Sequence, residues 1–155
     1  MVESTKGLPV SIHMKTTIRD GSQRETNTIT ADGQFYEKGD TTFIRFQEPP
    51  LETNTADNSD EPITMQTLKI QKDEMTVLRK GAISMSQRFL PGVTTEGVYQ
   101  SSFGHMPMTT KTKEVTFQWN KIKREGSLVL RYSLHLQGAK AGEYDMRVTI
   151  KEVIQ

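Results

Sequence analysis

Over residues 10–18, apolar side chains or threonine fill every second position (Val10, Ile12, Met14, Thr16, Ile18), and Ser11, His13, Lys15 and Thr17 fill the gaps. Successive side chains of an extended chain point to opposite faces, so this spacing predicts a half-buried strand. Asp20-Gly21 then signals a hairpin, because glycine accepts the positive φ that tight turns require. The unit recurs along the chain. Strands are expected over residues 23–36, 41–48, 63–71, 75–80, 83–90, 93–101 and 105–119, with turn residues such as Lys38-Gly39-Asp40 and Pro91-Gly92 between them. The clearest pair comes last, with Leu128, Leu130, Tyr132, Leu134 and Leu136, then Tyr144, Met146, Val148 and Ile150.

No window shows the 3.6-residue period of a helix, so the predicted class is all-β with roughly ten strands at the spacing of sandwiches and barrels. Short sequential hairpins favour an up-and-down meander. Such a meander loses its unpaired edges most simply by closing, so the expected architecture is a single closed antiparallel barrel, lipocalin-like, of about 8–10 strands. A length of 155 residues suits one domain spanning residues 1–155, with its ordered core at about 10–153. The polar stretch 49–62 reads as a mobile acidic loop. Within it Asp57, Ser59 and Glu61 have the alternate spacing of oxygen ligands, but the central glycine and distal glutamate of a calcium loop are missing, so it reads as solvated.

Residues 105–119 pose a phase problem. Val115, Phe117 and Trp119 share the phase of Lys111 and Lys113, not that of Met106 and Met108. Either a bulge near Glu114 reverses the facing, which long barrel strands commonly require in order to bend, or the three form an outer apolar patch suited to a partner or a second copy.

The polar members of the inward phase are the candidate site residues. In the runs Met75-Val77-Arg79, Ile83-Met85-Gln87-Phe89 and Met106-Met108-Thr110-Thr112 they are Arg79, Gln87 and the threonines, and Tyr132 adds a phenol. A buried polar group needs a partner, a water or a ligand. Arg79, Gln87, Thr110 and Tyr132, with the flexible thioethers of Met85 and Met108, are therefore expected to line an interior site for a small, partly apolar molecule. Bonding among themselves and to backbone, with Arg79 at a rim, is the other reading of the same residues.

Composition narrows the function classes. Twenty Lys and Arg against nineteen Asp and Glu leave a formal charge of +1, which gives no argument for nucleic acid or an anionic membrane. With no cysteine there is no thiol nucleophile or thiolate metal site. His13 and His135 fall on outward phases, and His105 follows a glycine near a strand start, so neither a metal site nor a histidine base is expected. No Gly-x-Ser-x-Gly elbow or phosphate-cradling glycine loop is present. The expectation is a non-enzymatic, cofactor-free protein, either monomer or homodimer. Lacking a long apolar run at its start or later, it is expected to be cytoplasmic with no membrane partner.

Three segments carry a family resemblance: Phe35-Tyr36-Glu37-Lys38-Gly39 with Ile44-Arg45-Phe46; Arg79-Lys80-Gly81-Ala82-Ile83-Ser84-Met85 through Gln87 and Phe89; and Gly104 with Met108 and Thr110-Lys111-Thr112. They resemble the YwiB-like bacterial barrels, and the likeness extends over about Val10 to Val153. It implies a calycin-type closed barrel in a soluble bacterial protein and brings no catalytic residues with it. Were the reading instead that of a structural or protein-interaction module, the outer surface would be the working part.

Overall fold

The structure, a computed structural model, describes residues 7–49 and 63–153. Ten antiparallel strands follow one another: β1 (Leu8–Asp20), β2 (Gln23–Lys38), β3 (Thr41–Gln47), β4 (Met65–Gln71), β5 (Glu74–Lys80), β6 (Ser84–Phe89), β7 (Thr94–Ser101), β8 (Gly104–Asn120), β9 (Glu125–Leu136) and β10 (Ala139–Glu152). Each pairs with its sequence neighbours and β1 pairs with β10, which closes the barrel. The expected all-β closed barrel is thus the observed one. Of the stretch 49–62 expected to form a loop, residues 50–62, with Asp57, Ser59 and Glu61, lie outside the described residues.

Strand lengths divide the wall in two. β1, β2, β8, β9 and β10 run 12 to 17 residues, whereas β3 to β7 run 6 to 8. The long strands meet the short ones at two corners only. β2 pairs with β3 through residues 33–38, and β8 pairs with β7 through residues 104–111. The upper end carries the turns at residues 21–22, 81–83, 102–103 and 137–138. The lower end carries the turns at 39–40, 72–73 and 121–124 and both ends of the described chain. The β9–β10 turn needs positive φ at both central residues, taken by Gln137 (51°) and Gly138 (82°), the twist that matches paired strands. β9 and β10 begin earlier than their apolar alternation does, because residues 125–127 and 139–143 pair through backbone groups and carry no oily side chains to signal it.

Inward positions form one core that includes Val10, Ile12, Ile44, Phe46, Leu68, Met75, Leu128, Leu130 and Ile150, each no more than 2 % exposed. Burial of a side chain of this size contributes roughly 1.5–3 kcal/mol, which offsets the ordering of the strands. Outward positions such as Lys15, Lys69, Arg131 and Arg147 are charged, the inverse of the apolar band around a membrane-spanning barrel. The described residues contain no helix long and apolar enough to cross a membrane.

The phase problem in β8 is settled by a bulge. The register with β9 shifts between Thr112 and Glu114, which leaves Lys113 as the extra residue. Val115 is then buried, and Phe117 and Trp119 pack against the core. Trp119 stacks on Phe35 with ring centroids 4.4 Å apart. Gly126, directly opposite, leaves it room, since a Cβ there would approach its ring within 2.8 Å. The alternative of an outer patch made by Val115, Phe117 and Trp119 is therefore overturned. Trp119→Ala is expected to lower stability by about 3 kcal/mol, the low end for an aromatic truncation because the ring is half-buried. A denaturant titration measures this, and an unchanged midpoint would contradict the inward placement.

Candidate functional site

At the upper end, two rows of inner side chains border the core. On the long strands, Ile18, Tyr144, Tyr132 and Thr112 are successive cross-strand neighbours on β1, β10, β9 and β8. Gln66, Arg79, Met85 and Tyr99 on the short strands, with Met106 on β8, form a second row. Ile18, Tyr99, Met106, Leu136 and Tyr144 remain partly accessible and stand outside the core cluster.

Tyr132 sits at the junction. Its ring touches Phe89 of the core (centroids 4.6 Å) and stacks on Tyr144 toward the opening (5.0 Å). Burial, and then the neighbouring Tyr144, push its phenol well above the ordinary range. Tyr144 is raised too, by burial and by the charge of Glu25.

Gln87 and Thr110 are fully buried and bonded to each other. The Gln87 amide nitrogen lies 3.0 Å from the Thr110 hydroxyl and 3.1 Å from that of Thr95, and it donates to the Arg88 carbonyl at 2.8 Å. Thr95 and Thr110 also contact each other at 3.0 Å. This amide replaces ladder bonds where β6 and β7 part, since their pairing stops at Ser86 and Val98. Gly97 makes the arrangement possible, because a Cβ on it would meet Gln87 Oε1 at 2.2 Å and the Ser86 carbonyl at 2.6 Å. Among the described residues, two buried polar side-chain atoms are left without a partner, Gln87 Oε1 and Thr112 Oγ1.

Arg79 is held by Glu48. Its Nε and Nη2 donate to the two carboxylate oxygens at 2.6 and 2.8 Å, and Gln66 donates to the same carboxylate at 2.8 Å. Burial alone would lower the guanidinium pKa, but the hydrogen bond and charge of Glu48 outweigh it, and the net shift is upward. Arg79 therefore stands at the rim with its bidentate face already engaged.

Of the six residues expected to line the interior, all lie on inward phases. Gln87 is joined to Thr110, Met85 is opposite Arg79, and Tyr132 and Met108 stand on the long strands. Glu48, Thr95 and Tyr144 complete the arrangement and were not foreseen. Thr95 shares the phase of Tyr99 and was legible in principle, whereas Glu48, just before Pro49-Pro50, gave no signal that it would meet Arg79 31 residues away. Outside the barrel, two concavities of about 640 and 410 Å³ open on the long strands, the first around Ser11, His13 and Asp32, the second around Arg19, Arg24 and Arg131.

A model of a domain of unknown function, DUF1934, matches residues 12–148. The chain belongs to this family. Its relatives include the uncharacterized beta-barrel protein YwiB of Bacillus subtilis, 26 % identical over 141 residues that cover 91 % of this chain and 92 % of that one. The crystal structure of the B. subtilis ywiB protein superposes with a TM-score of 0.79 at 23 % identity, covering 96 % of this chain and 94 % of the other. The DUF1934 assignment agrees with the resemblance read from residues 35–46, 79–89 and 104–112, and the structural likeness is one of fold.

Two outcomes test this geometry. Gly97→Ala is expected to cost about 1–3 kcal/mol through the clash with Gln87, and Gln87→Ala in the same chain should recover part of that loss; fully additive losses in chemical denaturation would contradict it. Because the folded pKa of Tyr132 lies above the ordinary value near 10, stability from its neutral phenol is complete below about pH 10 and is lost as pH rises through the folded value. Tyr132→Phe should therefore flatten the alkaline fall in urea midpoint, and an unchanged slope would place the phenol in water.

Proposed function

We propose that this DUF1934 barrel is a non-enzymatic binder of a small, partly apolar molecule, taken into the upper end of its interior. The carrying observation is the contrast between the two ends. The core packs its members to within several per cent of full burial, while Ile18, Tyr99, Met106, Leu136 and Tyr144 at the upper end are only partly buried. Aliphatic and aromatic walls with a few fixed polar groups are the usual composition of a ligand cavity. Gln87 Oε1 and Thr112 Oγ1 support the reading, since an unpartnered buried acceptor costs free energy that a donor from water or ligand would remove. Arg79 acts in this scheme as a rim residue fixed by Glu48. Met85, Met108, Gln87, Thr110 and Tyr132 form wall and floor. No chemistry is assigned to these groups, and no cofactor is required.

The test is native mass spectrometry of the full chain purified from its own host, followed by thermal unfolding with the molecule found. At a hundredfold excess over Kd, binding adds about 2.7 kcal/mol, or a rise of roughly 5–10 °C in Tm for a domain of this size. Met106→Trp, which fills the opening, should abolish that rise. Protein that carries no small molecule, with a Met106→Trp variant that melts like the original, would overturn the proposal.

A further inference from the structure

The register sets two like-charge pairs side by side on the outer face of the long strands. Arg19 faces Arg24 across the β1–β2 hairpin, and Lys15 faces Arg147 across β1 and β10. Directly opposed like charges destabilise a sheet, and residues so placed are ordinarily relieved by nearby carboxylates. Glu143 is the neighbour of Arg19 on β10, but its oxygens, like those of Asp145, are engaged by other groups. Glu143 receives Lys113 at 3.2 Å through one oxygen and the Ser133 hydroxyl through the other. Asp145 receives Arg147 at 3.0 Å, and Arg131 is shared between Glu114 (3.6 Å) and Asp145 (3.7 Å). Among the described residues, no carboxylate lies within salt-bridge distance of Lys15, Arg19 or Arg24. Lys15, Arg19 and Arg24 line a concavity of about 410 Å³ that holds six cations and two carboxylates in all.

We propose that this groove is a binding site for a small multivalent anion bearing linked phosphate groups, with Lys15, Arg19 and Arg24 as its primary contacts. Three cations left over after internal pairing suit a ligand of about three negative charges. Guanidinium forks match phosphate oxygens two at a time. A volume of about 410 Å³ lies within the range of small-molecule sites, and the rest of the chain, with 14 Lys and Arg against 17 Asp and Glu, has no cationic surplus to hold a long polyanion. The cations of the site project from the outer wall, and its lining also includes Tyr132 and Tyr144 of β9 and β10.

The experiment titrates the full chain at low ionic strength with inorganic tripolyphosphate and, in parallel, with ATP, and repeats both with an Arg19→Gln/Arg24→Gln variant. Saturable binding that weakens at least about tenfold in the variant is expected, as is a steep loss with added salt. Equal affinities assign the phosphate chain alone, and tighter ATP assigns a nucleotide. Relief of the like-charge pair should let the ligand-free variant melt at or above the original temperature, so that lost binding is not lost folding. Lys151→Gln, outside this groove, should bind as the original does. Absence of saturable binding, equal affinity in the variant, or binding of a single-stranded oligonucleotide that tripolyphosphate does not displace would overturn the proposal.

Discussion

The extra residue at Lys113 determines what the second half of β8 shows to the interior. Side chains alternate strictly along a strand, so one inserted residue exchanges the two faces of everything beyond it. With the bulge, Val115 meets Leu130, Phe117 meets Leu128 and Trp119 covers Gly126 while stacking on Phe35. Without it these three would face water and the lower end of the core would lose its aromatic layer. Lys113 keeps its outward phase and reaches Glu143, while the insertion turns Glu114 outward as well, within reach of Arg131. Core and outer groove thus rest on one backbone irregularity.

Closure by strands of unequal length explains why the two ends differ. Five short strands span only part of the height of the five long ones and join them at opposite corners, so the long strands extend past the shared core. At the lower end that extension is filled by Phe117 and Trp119. At the upper end it carries Ile18, Tyr144 and the exposed hairpin between β1 and β2, where residues 23–28 of β2 are exposed. Gln87 compensates for the separation of β6 and β7 by supplying a side-chain amide where the ladder stops, which is why its neighbour Gly97 has no side chain.

Much of this was legible in the residues. The two-residue rhythm of Val10 to Ile18 and of Leu128 to Leu136 specifies strand and facing together, and the turn residues set the hairpins, so ten strands and their inward phases followed directly. The broken rhythm between Met108 and Val115 was itself the signature of the bulge. Pairings distant in sequence were less accessible. Nothing local joins Glu48 to Arg79, and the pairing of residues 125–127 and 139–143 is made by backbone atoms whose side chains carry no apolar signal. The interior reading was also only half determined, since alternation places Gln87 and Thr110 inside but does not say that they bond to each other.

Charge was the property most concealed by composition. A surplus of one positive charge over 155 residues suggests an even mixture, yet the antiparallel register gathers cations from β1, β2, β8, β9 and β10 onto one patch. Only Arg19 and Arg24 lie close enough in sequence, across a two-residue turn, for their opposition to be read from the hairpin alone. Lys15 and Arg147 become neighbours because β1 closes the barrel against the last strand. Barrel closure, which the apolar positions require, therefore also decides which polar positions face one another, and the chemistry of the outer wall is a consequence of the packing of the inner one.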